Sequence, residues 1–216
     1  MKEQPVPTIG RPRAFDAEVA LDRALEVFWQ KGYEGTSLSD LTGAMGINRP
    51  SLYAAFGNKE ELFRKVLDRY AEGPTGYMAQ ALQAPNAREV ARRFLRGVID
   101  QLTDKRTPRG CLLVQSALVC ADAAESVRAE LAARRAEGER ALRRRFERAK
   151  KEGDLPADAS PADLASYLIT VVHGMAVRGA SDASRAQLLR VMEMAMKSWP
   201  SGRRSDSKSR SLGRRK

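Results

Sequence analysis

The chain has 216 residues, 43% of them apolar and 30% charged, and its 38 Lys/Arg against 27 Asp/Glu give a net charge of +11. Two cysteines and one histidine exclude a disulfide scaffold and speak against a Cys/His metal cage. The longest apolar runs, near residues 111–121 and 167–177, are too short to span a bilayer, and no apolar signal segment opens the chain. A cytoplasmic protein with no cofactor, no metal and no membrane partner is expected. The dominance of Ala, Leu, Arg and Glu points to an all-α fold.

Residues 1–13, with Pro5, Pro7 and Pro12, read as a flexible basic arm; Arg11 and Arg13 either reach a minor groove or contact nothing. Asp16 caps a first helix whose stripe is Leu21, Ala24, Leu25 and Phe28. Residues 36–62, TSLSDLTGAMGINRPSLYAAFGNKEEL, then hold two short helices and a tight turn. Ser37 caps the first, with Asp40 closing a capping box, and Gly46 ends it. Asn48 caps the second, with Pro50 in its first turn, where a missing N–H costs nothing. Leu52 and Phe56 face back toward Leu41 and Ile47, leaving Arg49, Ser51 and Tyr53 on the other side. This is the layout of a helix-turn-helix, whose second helix enters the DNA major groove.

Asn58 and Glu61 open a fourth helix toward about residue 82, which Gly73-Pro74 either kinks or ends. Asn86 caps a helix carrying Val90, Phe94, Val98 and Ile99, and an apolar helix follows from about Cys111 to Cys120. A long helix opens at Asp122, another at Ser160-Pro161, and the last at Asp182, ending near Trp199, about nine in all. The division expected is a 1–13 arm, a 14–70 three-helix DNA-binding bundle, a 71–200 effector-binding and dimerisation domain, and a 201–216 disordered basic tail. The charge does not follow function. Residues 1–70 hold ten Lys/Arg and ten Asp/Glu, so the excess sits in the body and tail, and DNA binding must rest on local placement.

The stretch ALEVFWQKGYEGTSL with SLYAAFGNKEEL resembles the TetR/AcrR family of bacterial transcriptional regulators. Phe28, Gly32-Tyr33, Thr36-Ser37, Gly46, Leu52-Tyr53, Phe56 and Lys59 to Leu62 carry the resemblance, across roughly the first third of the chain. It implies a homodimeric regulator, most often a repressor, that binds a pseudopalindromic double-stranded DNA operator and responds to a small-molecule effector. It implies phosphate contacts from Thr36, Ser37, Tyr53 and Lys59. By position, Arg49, Pro50 and Ser51 meet base edges, Arg49 with a guanidinium suited to guanine O6 and N7. Ala54-Ala55 stand where the family often has an aromatic and a histidine.

The last two helices are apolar on more sides than one stripe requires. Leu168, Val171, Met175, Leu189, Met192 and Met196 are the candidate dimer interface; the alternative is a wholly internal helix pair. His173 reads as a packed histidine, and the run from Arg134 to Lys151, nine basic and three acidic residues, as a solvated face. Cys111 follows Arg109-Gly110 at a helix start, a setting that favours thiolate, and Gly110-Cys111-Leu112 resembles a branch of the family in which some members sense electrophiles or oxidants through a cysteine. Cys111 is the possible sensor thiol; a buried inert cysteine is the alternative. Two other functions stay open: an architectural DNA binder without effector, and an enzyme using Cys111, for which His173 is the only histidine that could serve as base.

Overall fold

The structure, a computed structural model, describes residues 15–118 and 125–200. The arm with Arg11 and Arg13, the tail, Cys120 and the Asp122 helix start lie outside the described residues. Among the described residues ten helices run in order: α1 Ala17–Lys31, α2 Leu38–Met45, α3 Arg49–Phe56, α4 Lys59–Glu72, α5 Tyr77–Leu82, α6 Ala87–Leu102, α7 Leu112–Leu118, α8 Glu125–Lys151, α9 Pro161–Ala180 and α10 Arg185–Lys197. Among the described residues all regular structure is helical.

Local chemistry sets most of the starts. Asp16 accepts from the amides of Glu18 and Val19, Asn48 from Ser51 and Asn86 from Glu89. Ser37 with Asp40 and Asn58 with Glu61 form reciprocal capping boxes, each cap contributing about 1 kcal/mol. One open boundary is decided and one differs from expectation. Gly73-Pro74 ends α4 at Glu72, because proline cannot donate to the helix ladder, and α5 is a separate short helix. The last helix is capped by Ser184, with Gln187 returning the box, rather than by Asp182.

Two apolar cores result. The first joins Phe28, Leu41, Leu52, Phe63 and Tyr70, from α1 to α4, and also takes Leu112 of α7 and Val127 and Leu131 of α8. The helix-turn-helix core is thus completed by residues from beyond position 71. The second is built on α6, with Val90, Phe94, Leu95, Val98 and Ile99 buried against Leu142 and Phe146 of α8, Leu168 and Met175 of α9, and Met192 and Met196 of α10. Burying such side chains contributes ~1.5–3 kcal/mol each.

The basic run on α8 is not simply solvated. Arg145 is buried and donates from Nε and Nη2 to the carbonyls of Leu82 and Ala84, satisfying the end of α5 and its exit turn. Burial pulls its pKa below the usual arginine value. Arg134 pairs with Asp68 of α4 at 2.7 Å and with Glu130, and Arg135 donates to the Leu113 carbonyl at 3.1 Å.

Candidate nucleic-acid interface

The candidate surface begins at the turn after α1. Lys31, in the last turn of α1, reaches Asp40 of α2 at 2.6 Å. The Lys31 ammonium, with Ser37, holds the Asp40 carboxyl well below the usual carboxylate range. That carboxylate also accepts from the Ser37 amide and hydroxyl, so one side chain fixes the entry of α2 and its angle to α1. Gly46 then turns the chain at φ 69, ψ 29, a left-handed conformation cheap only for glycine, and Asn48 starts α3 two residues later.

α3 divides cleanly into two sides. Leu52 and Phe56 are sealed into the first core, while Arg49, Pro50, Tyr53, Ala54 and Ala55 face solvent and Ser51 is half-buried. Tyr53 is 48% exposed, a large aromatic with a free outer surface. Arg49 donates from Nη2 to Ser39 Oγ of α2 at 3.3 Å, so its guanidinium lies toward α2 on the exposed side of α3. Ser39 was not legible as part of this surface, since nothing in its sequence context separates it from an ordinary helical serine. Lys59, at the first position of α4, holds its ammonium 4.3 Å over the Tyr33 ring, which itself stacks on Phe28. The ring face attracts the cation and keeps it at the rim beside the start of α4.

Thr36 departs from the expectation. It is 1% exposed, and its hydroxyl donates to the Gly32 carbonyl at 2.6 Å while its amide reaches Tyr33. Both groups are used inside the turn, so Thr36 shapes the approach to α2 and has no side-chain surface to offer a phosphate. Ser37 is exposed, with its hydroxyl engaged in the capping box.

The chain matches the family model for bacterial regulatory proteins of the tetR family over residues 20–66, and the model for a tetracyclin repressor-like C-terminal domain over residues 91–195. It is 34% identical over 193 residues to the HTH-type transcriptional repressor ComR of Escherichia coli K12, covering 88% of this chain and 92% of that protein. This chain belongs to the TetR family. Among solved structures, a cysteine mutant of the TetR family transcriptional regulator CifR, complexed with a 26bp double-strand operator DNA, aligns at TM-score 0.84 and 46% identity, over 88% of this chain and 100% of that one. A TetR regulator from Rhodococcus sp. RHA1 is 41% identical at TM-score 0.60, over 86% of this chain and 100% of that one.

The expected dimer residues separate into two groups. Leu168, Met175, Met192 and Met196 are buried in the chain's own second core, so they do not form an outer face. Val171 and Leu189 are half-buried against it. What α9 and α10 expose instead are Tyr167, Val177, Val191 and, at 65% exposure, Met194. Tyr167 Oη and Ser198 Oγ, 3.2 Å apart, tie the two helices together, and Gly174 between Tyr167 and Val177 has open space around it.

Cys111 precedes α7, and its carbonyl accepts from the amides of Val114 and Gln115. It is half-buried and packs against both cores. Arg109 is not turned to the thiol: its guanidinium donates to the Ser181 carbonyl at 3.0 Å, beyond the end of α9. The thiol lies near the hydroxyls of Tyr70 and Tyr77. Burial first, and then the Cys111 thiol, push the hydroxyls of Tyr70 and Tyr77 well above the usual tyrosine value. His173 is half-buried, its pKa pulled down by burial and then by Arg135. Among the described residues no three His, Cys, Asp or Glu side chains cluster as metal ligands, and no helix is long and apolar enough to cross a membrane.

Proposed function

We propose that this TetR-family regulator is a repressor that binds a pseudopalindromic operator as a homodimer, one α3 helix per major groove. The observation that carries the reading is the outer side of α3, where Arg49, Pro50 and Tyr53 stand exposed on a helix pair whose inner side is sealed. The 46% identity to CifR, a regulator solved on operator DNA, supports the same use of this surface, and the 34% identity to the repressor ComR supports repression. In this reading Arg49 reads a base edge and Tyr53, Lys59 and Ser37 take phosphates. Lys59 adds its charge at the N-terminus of α4, where unsatisfied amides also attract an anion. The exposed apolar residues of α9 and α10, Tyr167, Val177, Val191 and Met194, contribute to the twofold helix-pair interface, with open space at Gly174 admitting a close approach.

Release follows from a shift between two arrangements of the cores, driven by a small molecule or an electrophile that prefers one of them. Cys111 is the group placed for the electrophile: a half-buried thiol against Tyr70 of the DNA-binding core and Tyr77 of the other. An adduct adds volume at that seam, which close packing resists. Footprinting on the DNA flanking the protein's own coding sequence tests the reading. One short, twofold-symmetric protected region is expected; uniform coating at all sites would favour an architectural binder instead.

A further inference from the structure

Gly110 is one of the points at which the two cores are fastened to each other. Its backbone stands at φ +84, and a Cβ there would meet Gln115 Nε2 at 2.5 Å and Ala180 Cβ at 3.0 Å. Its carbonyl accepts two hydrogen bonds, from Trp29 Nε1 of α1 and from Gln101 Nε2 of α6, both at 3.1 Å. One donor belongs to the helix-turn-helix core and the other stands on α6, the helix on which the second core is built. The neighbouring residues are held in the same way: Arg109 by the Ser181 carbonyl, the Leu112 amide by the Tyr70 hydroxyl at 3.4 Å, and the Leu113 carbonyl by Arg135. Trp29 packs edge-on to Tyr70 with ring centroids 4.9 Å apart and is 2% exposed, so its N–H has no solvent alternative to Gly110.

We propose that Trp29 is a positioning residue for operator recognition. Through the Gly110 carbonyl it fixes the angle at which the helix-turn-helix stands on the second core, and so sets the half-site spacing that the protein accepts. The inference rests on the homodimer reading above. Two recognition helices must meet successive major grooves about 34 Å apart, so slack in this angle becomes tolerance in spacing. The bond touches no base, so sequence preference within a half-site does not depend on it.

The test compares the parent with Trp29→Phe and Gln101→Met, using the operator and derivatives with two base pairs inserted or removed at its centre. Phenylalanine keeps a ring against Tyr70 and removes the donor; methionine keeps the length of Gln101 and removes the donor from the other side. The parent should bind the respaced operators much more weakly. In each variant that penalty should shrink by about tenfold, equivalent to ~1.4 kcal/mol and the size of one hydrogen bond to a buried partner. Base preference within the half-site should not change. Should Trp29→Phe fold poorly, Gln101→Met carries the measurement. A spacing penalty unchanged in the folded variants, or an equal loss of affinity at every spacing, overturns the proposal. A parent indifferent to spacing overturns the dimer reading, and this inference with it.

Discussion

Replacing Met194 by glutamate should separate dimerisation from folding. Met194 is 65% exposed on α10, whereas Met196, two residues on, is 4% exposed in the second core. Full burial of a methionine side chain contributes ~1.5–3 kcal/mol, so covering the two thirds still exposed contributes about 1–2 kcal/mol per subunit. A twofold interface counts it twice, giving about 2–4 kcal/mol, and a buried carboxylate adds a desolvation cost. The dimer dissociation constant should therefore rise by at least about 30-fold. Sedimentation across a dilution series reads this directly. At concentrations where both proteins are monomeric, Met194→Glu should unfold within about 0.5 kcal/mol of the parent, as surface changes do. Met196→Ala should instead lose about 2–5 kcal/mol of stability through its cavity. A Met194→Glu protein that stays dimeric with an unchanged dissociation constant would refute the assignment of this face.

Three further outcomes are expected. Arg49→Ala should cost about 1–3 kcal/mol of operator binding and relax preference at one base pair per half-site, whereas Tyr53→Phe should weaken all sequences alike; binding titrations on single-base operator variants check both. Thiol labelling should modify Cys111 in the folded protein and weaken operator binding, measured by anisotropy before and after; full affinity after labelling would make Cys111 a packing residue. Burial and then Arg135 lower the pKa of His173 from 6.5, so folding favours its neutral form. Its contribution is whole above about pH 6.5 and is lost as pH falls below that value, so His173→Gln should flatten the acid-side fall of Tm; parallel Tm curves for the two proteins would contradict it.

What was legible in the sequence was the chemistry that acts within a few residues. The caps at Asp16, Ser37, Asn48, Asn58 and Asn86 need only a side-chain oxygen and the next turn's amides, and each stands where the residues set it. The two sides of α3 follow from one apolar stripe. Thr36 was less readable, because a threonine in a turn shows nothing of whether the neighbouring helices will close over it. Leu168, Met175, Met192 and Met196 were set on the wrong side for a related reason: α9 and α10 are apolar on more than one side, and periodicity gives the sides without saying which meets the rest of the chain. Arg145 and the Trp29–Gly110 bond depend on partners 61 to 81 residues away, beyond the reach of any local pattern.

The most direct test of sequence-specific recognition is the ratio of affinities for a selected operator and for a scrambled duplex of equal length, at one fixed salt concentration. A TetR-family regulator reading base edges through Arg49 should bind the operator at least about 10³-fold more tightly, with Arg49→Ala lowering that ratio. Equal affinity for both duplexes, falling together as salt rises, would mean that phosphate attraction alone holds the DNA and would contradict the account.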